Sequence, residues 1–126
     1  MDCKIVIGGC RDYNNYIVFC KFVDMCLIRI KYIEKITILS GHCSGVDLMA
    51  EKYAKQNGYG LEIYPAEWKR YGKSAGPIRN EIMIKKANYV IAFWDKKSHG
   101  TKNLIYNAKK YNKPIRIKYI NEHPTD

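Results

Sequence analysis

The stretch Lys4-Ile5-Val6-Ile7-Gly8-Gly9-Cys10-Arg11-Asp12 opens with a short apolar run and passes directly into two glycines. A short apolar run that ends in turn residues is typical of a strand in a parallel sheet. Glycine lets the backbone approach a ligand closely, and a helix that begins after such a turn offers free N–H groups. The stretch therefore predicts the first strand of an α/β sheet, followed by a loop suited to binding phosphate.

Three more glycine-bearing turns occur along the chain, at residues 40–47, 76–80 and 98–101. The first and third of these follow apolar β-type runs, and the second is followed by a helical pattern. Glycine turns that lead into helices hold phosphate through backbone N–H groups rather than through one side chain for each oxygen. The spacing predicts a pocket for a phosphorylated, nucleotide-like small molecule.

The rest of the chain alternates strands with helices. Strands are predicted at residues 4–7, 36–39, 61–64, 89–94 and 115–119, and helices at about 14–31, 45–57, 77–87 and 100–111. Residues 65–76 show no clear period and are predicted to be an irregular loop. This order predicts a three-layer, Rossmann-like α/β fold with a parallel sheet of about five strands, order 3-2-1-4-5, and helices on both faces. Ligands of such sheets bind where the strand order reverses, here between the first and fourth strands.

Length and composition indicate one globular domain. The chain has 126 residues, of which 47% are hydrophobic, and we expect a single nucleotide-binding domain over residues 1–120 with a polar tail at 121–126. No run is long enough to span a membrane, and the first strand begins too early for a signal peptide. The five cysteines form an odd set without zinc spacing, which indicates reduced thiols, a cytoplasmic location, and neither metal nor cofactor.

The formal net charge is +10. A basic domain attracts nucleotides, nucleic acid or an acidic membrane surface, and with no membrane segment we expect no membrane partner. AT-rich coding also produces a composition rich in lysine, tyrosine and asparagine. The charge alone therefore does not distinguish a functional basic surface from lysines that are merely solvated.

The first loop supplies four candidate ligand-binding residues. Gly8 and Gly9 permit a tight turn, Arg11 can clamp a phosphate, and Asp12 can accept a hydrogen bond from a sugar hydroxyl. The alternative is an ordinary turn carrying a surface Arg–Asp pair.

The second loop has a more specific pattern, in which two serines are each followed by a glycine, Gly41 and Gly45, just before a helix. Ser40 and Ser44 can donate to phosphate. Asp47 falls in the first helical turn, where the helix dipole favours a carboxylate, so it either caps the helix or holds ribose hydroxyls. The loop is not a P-loop, because no lysine follows the second glycine.

The third turn opens a helix with Arg79 and Asn80, and Met83 lies one turn further on. A guanidinium at a helix start suits a second phosphate or a base edge. The alternative is a surface arginine paired with Glu81 or another acid. Ahead of this turn, Trp68 either stacks on a base or anchors its own loop.

The fourth turn offers Ser98, Gly100 and Thr101. Gly100 and Thr101 open the last helix, and so provide N–H groups and a hydroxyl to a phosphate. The adjacent pair His42 and Cys43 does not support a nucleophilic Cys–His site, because neighbouring residues rarely face each other.

Taken in order, these motifs resemble a known family. They are Gly8-Gly9-Cys10-Arg11-Asp12-Tyr13, Ser40-Gly41-x-x-Ser44-Gly45-x-Asp47, Pro65-Ala66-x-Trp68, Ala75-Gly76-Pro77-x-Arg79-Asn80-x-x-Met83, Ala92-Phe93-Trp94 and Gly100-Thr101. Over residues 4–118 the chain closely resembles the YspA-like, cpYpsA-related branch of the SLOG superfamily, which also contains the LOG phosphoribohydrolases and the DprA/Smf DNA-processing proteins. The resemblance implies a Rossmann-like SLOG domain that binds nucleotides or nucleotide-derived ligands at these loops.

The resemblance to LOG enzymes, which cleave the N-glycosidic bond of nucleoside monophosphates, is incomplete. Arg79 and Met83 match the LOG Arg-x-x-x-Met segment, and Gly100-Thr101 match part of Gly-Gly-x-Gly-Thr-x-x-Glu. The position of the catalytic glutamate holds Leu104, which can neither stabilise an oxocarbenium ion nor move a proton. Glu81 and Asp47 are the remaining candidate catalytic acids.

The leading prediction is a protein that senses or sequesters a nucleotide-derived signalling molecule, of viral or mobile-element origin and located in the cytoplasm, the host's if viral. The first alternative is a LOG-like nucleotide N-glycosidase or a phosphohydrolase. The second is a DprA-like nucleic-acid-binding module. Self-association, most simply as a dimer, is expected because relatives commonly do so.

Overall fold

Five parallel strands form one sheet in the computed structural model, which describes residues 2–120. The strands are β1 (Asp2–Gly9), β2 (Lys35–Ser40), β3 (Gly60–Ile63), β4 (Tyr89–Trp94) and β5 (Ile115–Tyr119). Their order is β3-β2-β1-β4-β5, which confirms the predicted topology. The predicted polar tail at 121–126 lies outside the described residues.

Helices cover both faces of the sheet, as expected for right-handed crossovers between parallel strands. They are α1 (Tyr16–Leu27), α2 (Val46–Gln56), α3 (Trp68–Tyr71), α4 (Ala75–Lys86) and α5 (His99–Lys110), with a 3₁₀ turn at Gly72–Ser74. No helix of residues 2–120 combines the length and the apolar character needed to cross a membrane.

The sheet separates two apolar clusters, because successive side chains of a strand point to opposite faces. Ile5 and Ile7 of β1 pack with α1 and α2, in a cluster that includes Phe19. Val6, between them, packs on the other side with Met83 of α4 and the residues of α5. The two clusters hold the carboxyl ends of β1 and β4 in place beneath the loops that follow them.

Two sequence-based expectations about the elements were wrong. Residues 65–76 are not irregular, since they contain α3, the 3₁₀ turn and the start of α4; a single helical turn is too short to produce a detectable period. Helix α1 ends at Leu27 rather than near residue 31. Beyond it Ile28 and Ile33 are 58% and 79% exposed, so only Ile30 still packs against the core, and the chain continues in hydrogen-bonded turns.

Candidate functional site

A cavity of about 540 Å³ lies at the carboxyl ends of β1 and β4, where the strand order reverses. The β1 and β4 loops, the start of α5, and α3 and α4 surround it. Many of the predicted ligand-binding residues line it, namely Gly8, Gly9, Arg11, Asp12, Asp47, Trp68, Arg79, Asn80, Met83, Ser98, Gly100 and Thr101. The crevice therefore lies where the fold rule for open α/β sheets places it.

The loop after β1 is joined to the end of β4 and to the loop that follows it. The N–H of Cys10 donates to the carbonyl of Phe93 at 3.2 Å, and the Ser98 hydroxyl lies 3.4 Å from the Cys10 sulfur. Gly9 has no room for a side chain, because an added Cβ would approach the Phe93 carbonyl to 2.5 Å. This close backbone contact is the reason why the β1 turn carries glycine.

The first turn of α5 faces the cavity with unused donors. The first helical hydrogen bond runs from Lys102 N–H to Ser98 C=O, so the N–H groups of His99, Gly100 and Thr101 have no backbone acceptor within residues 2–120. Thr101 is 5% exposed. Its hydroxyl makes no side-chain hydrogen bond in the described part of the chain, where every fully buried polar atom has a partner. Thr101 itself lines the cavity.

Asp95 shapes the loop that leads into this helix. Its carboxylate accepts hydrogen bonds from the N–H groups of Lys97 (2.8 Å) and Ser98 (2.7 Å) and from the Ser98 hydroxyl (3.0 Å). Burial acts to raise the pKa of Asp95, but these hydrogen bonds outweigh it and lower the pKa to about 2. The carboxylate is thus ionised and occupied, and it holds the Ser98 end of α5 against β4.

Asp47 lies in the first turn of α2 and is 7% exposed. Its Oδ2 accepts a hydrogen bond from Cys43 N–H at 3.2 Å. Burial raises the pKa of Asp47 to about 6, while hydrogen bonds from Cys43 and Gly9 and the charge of Arg79 act in the opposite direction. One carboxylate therefore connects the β1 loop, the β2 loop and α4, at the floor of the cavity.

Arg79 lines the cavity, but most of its donors are used inside the protein. Its Nη1 donates to the carbonyls of Gly41 at 2.6 Å and Tyr64 at 3.2 Å. Its Nε donates to Asn80 Oδ1 at 2.9 Å, and Nη2 lies 3.8 Å from the Cys43 sulfur. Four of the five guanidinium N–H groups are thus directed to protein atoms. Arg79 mainly holds the β2 loop, and its predicted contact with a second phosphate stays a prediction.

The other candidates of the second loop lie outside the cavity lining. Ser40 is fully buried, and its hydroxyl contacts Glu51 Oε2 at 2.8 Å. Ser44 contacts the Arg11 carbonyl at 3.4 Å. Gly41 packs against Arg79, and Gly45, with φ of +75°, packs against the backbone of the β1 loop. These groups brace the two loops, so their direct role in binding a ligand also stays a prediction.

The remaining candidates divide between the cavity and the outer surface. Trp68 is 50% exposed and stands at the cavity edge. Asn80 is buried and donates to Gly100 C=O at 3.2 Å, which links α4 to the start of α5. Glu81 does not line the cavity; its carboxylate accepts a hydrogen bond from Tyr111 OH at 2.7 Å and pairs with Lys110 at 3.6 Å. Of the two candidate acids, the cavity contains Asp47 alone.

Several lining residues were not among the sequence candidates. They are Cys10, Cys43, Lys73, Gly76, Pro77, His99, Asn103 and Leu104. Lys73 lies in the segment that was predicted to be irregular, and Asn103 falls one turn after Gly100 on α5. Asn103 could have been found from the sequence, because residues three apart share one face of a helix and Gly100 was already a candidate. Within residues 2–120, no three His, Cys, Asp or Glu side chains are grouped so that they could hold a metal ion.

Comparison with known proteins gives three matches. The model of the YspA, cpYpsA-related SLOG family matches residues 3–71. The Gene 61 protein of Mycobacterium phage D29 is 30% identical over 86 residues, which cover 64% of this chain and 69% of that protein. DNA processing protein A (DprA) from Streptococcus pneumoniae has a similar solved structure, with a TM-score of 0.69 at 21% identity over 91% of this chain. The match spans half of the DprA chain, and at this identity it shows a shared fold.

Proposed function

Because the chain belongs to the YspA, cpYpsA-related SLOG family, we propose that its cavity binds a nucleotide or nucleotide-derived signalling molecule, which the protein senses or sequesters. The observation that carries the proposal is the start of α5. There the nearly buried Thr101 lines the cavity together with His99 and Gly100, and the N–H groups of these three residues have no backbone acceptor among residues 2–120. A phosphate would satisfy all of them at the positive end of a helix.

The rim of the cavity adds features that suit the rest of such a ligand. Arg11 and Lys73 bring positive charge to the opening, and the half-exposed Trp68 offers a ring for stacking. Apolar surface from Pro77, Met83 and Leu104 suits a base or a sugar face. Asp12, at the same rim, is available to accept a hydrogen bond from a hydroxyl.

The test is a calorimetric titration with a panel of nucleotides, supported by mass spectrometry of any molecule retained during gentle purification. Thr101→Val keeps the shape of the side chain and removes its hydroxyl, and Arg11→Met removes a rim charge. We expect about tenfold weaker binding for each. Arg29→Met changes the net charge equally at an exposed site on the turn after α1 and should bind normally. Equal loss in all three variants would contradict a phosphate at α5.

A second function, cleavage of a nucleotide N-glycosidic bond, is favoured by one observation. A Cβ built on Gly8 would lie 2.8 Å from Leu104 Cδ2 and 3.5 Å from Asp47 Oδ1. Asp47 thus places a carboxyl group beside the residue that stands at the LOG glutamate position. Chromatographic detection of free base, lost in Asp47→Asn and retained in Glu81→Gln, would favour hydrolysis. Binding without any release of base would favour a sensor or sponge.

The origin and location of the protein belong to the same proposal. The similarity to a phage protein supports a viral or mobile-element origin, and with it action in the cytoplasm of a host. Self-association remains a prediction, which sedimentation velocity of the purified protein would test.

A further inference from the structure

An anion already occupies the loop junction at the start of α2, and the protein supplies it. The carboxylate of Asp47 accepts a hydrogen bond from the N–H group of Cys43 at 3.2 Å. The backbone N–H of Gly9 and the charge of Arg79 also act to favour its ionised form. A Cβ placed on Gly41 would lie 2.8 Å from Asp47 Oδ2 and 2.6 Å from Arg79 Nη1, so the carboxylate and the guanidinium both border Gly41. Backbone N–H groups beside a guanidinium form a site that suits phosphate equally well.

This carboxylate lies at the inner end of the proposed ligand cavity. Its Oδ1 and the Leu104 side chain converge on Gly8, and Leu104 lies one helical turn after Thr101 on α5. The inner end therefore contains a buried anion and an apolar side chain. At the outer rim the arrangement is different, since Arg11 and Lys73 bring positive charge there.

We propose that Asp47 determines the specificity of the cavity by occupying the inner anion position, so that the inner end accepts an uncharged, hydroxyl-bearing part of the ligand and excludes a second phosphate. The inference rests on the proposed function, with a first phosphate at the start of α5. Two anions in a site of low dielectric repel each other strongly, and a built-in repulsive group is an efficient way to reject a close analogue. Phosphates that extend outward meet the basic rim and are tolerated.

Three nucleotides distinguish added charge at the inner end of the cavity from added charge at its outer rim. Adenosine 5′-monophosphate is the reference, adenosine 5′-diphosphate extends the charge outward, and adenosine 3′,5′-bisphosphate adds charge on the ribose; the guanosine series serves as a parallel set. We expect the wild-type protein to bind the bisphosphate about tenfold more weakly than the monophosphate, and the diphosphate within about threefold. Measurement by calorimetry near pH 7.5 keeps Asp47 ionised, since burial raises its pKa only to about 6.

Asp47→Asn removes the charge and keeps the shape of the side chain. In this variant the penalty on the bisphosphate should fall to less than about threefold. Glu34→Gln is the matched control, because it removes one negative charge next to Lys35, where β2 begins, at the opposite end of the sheet from the cavity. It should keep the wild-type discrimination.

The outcomes separate the two proposals. Equal binding of monophosphate and bisphosphate by the wild-type protein would overturn the role of Asp47 and leave nucleotide binding intact, and this comparison needs no variant that folds. An unchanged penalty in a folded Asp47→Asn protein would overturn it as well. Absence of binding to every nucleotide of both series would reject the proposed function, and this inference with it.

Discussion

At the residue scale, Asp47 lowers the stability of the protein at neutral pH. Burial raises the pKa of its carboxyl group from 3.8 to about 6, so the folded state favours the protonated form. Between these two pH values the unfolded chain releases the proton and the folded chain retains it, so stability falls as pH rises. A well-packed asparagine would avoid this cost, which is consistent with a carboxylate kept for ligand selection.

This linkage is directly measurable. In urea unfolding of wild type and Asp47→Asn from about pH 4 to about pH 7, the wild type should lose about 2.5 kcal/mol relative to the variant. One pKa unit corresponds to about 1.4 kcal/mol, and the unfolded carboxyl group is already largely ionised at about pH 4. Most of the loss should be complete by about pH 7. The difference in the free energy of unfolding between wild type and Glu34→Gln should change much less over the same pH range. A stability difference between wild type and Asp47→Asn that stays constant with pH would show that the Asp47 pKa is unshifted.

Arg79 gives a second prediction at this scale. Lysine retains the charge but cannot reach the Gly41 and Tyr64 carbonyls and Asn80 simultaneously. Arg79→Lys should therefore lower the free energy of unfolding by about 2–3 kcal/mol, because buried acceptors lose their donor. Arg70→Lys, at an exposed arginine that lies 3.9 Å from Glu67, should change it by less than about 0.5 kcal/mol. Equal effects of the two substitutions would argue that the hydrogen bonds of Arg79 do not stabilise the fold.

At the element scale, two helices begin beside the cavity in different ways. The start of α2 is closed, because Val46 N–H donates to Cys10 C=O at 3.2 Å and Gly45 packs against the β1 loop. The start of α5 is open, with no atom within 4 Å of a Cβ added at Gly100. The four glycine turns look alike in the sequence, but only a turn with uncommitted donors can hold a ligand.

Alanine substitution distinguishes the two helix starts. Gly45→Ala should destabilise the protein by more than about 2 kcal/mol, because φ is +75° there and the added Cβ would meet the Cys10 and Arg11 carbonyls. Gly100→Ala should leave stability unchanged or raise it by up to about 1 kcal/mol, because alanine favours the helix. Thermal unfolding of both variants checks the ranking, and the reverse order would contradict the described packing.

At the scale of the whole molecule, the net charge of +10 separates nucleotide binding from a nucleic-acid-binding function. A polynucleotide that contacts several lysines releases counterions, and the log–log slope of its affinity against salt should then be steeper than about −3. We expect any single-stranded DNA binding to show such a slope. Mononucleotide affinity should change by less than about threefold between about 50 and about 300 mM salt. Tight polynucleotide binding whose affinity falls steeply with salt would favour the DprA-like alternative, whereas salt-insensitive binding of one small ligand without polynucleotide affinity would dismiss it.

The local pattern of the sequence was sufficient for the framework of this protein. Residues 89–94 and 115–119 were predicted with the bounds that β4 and β5 have, since alternation, apolar runs and turn residues act over a few neighbours. The strand order could also be predicted from the sequence, because right-handed crossovers and short connections leave few arrangements of five parallel strands. The rule for ligand position in such sheets then brought Gly8, Arg11 and Thr101 together at the predicted crevice.

Only the tertiary structure decided which groups remain available to a ligand. Ser40 turned inward to Glu51, Arg79 to the backbone of the β2 loop, and Glu81 to Tyr111 on the outer surface. Whether a polar group is occupied depends on partners far away in sequence, such as Arg79 and Gly41, and no local pattern encodes these partners. The sequence by itself determined where the loops meet, whereas the packing of one loop on another left the start of α5 open and closed the start of α2 with the carboxylate of Asp47.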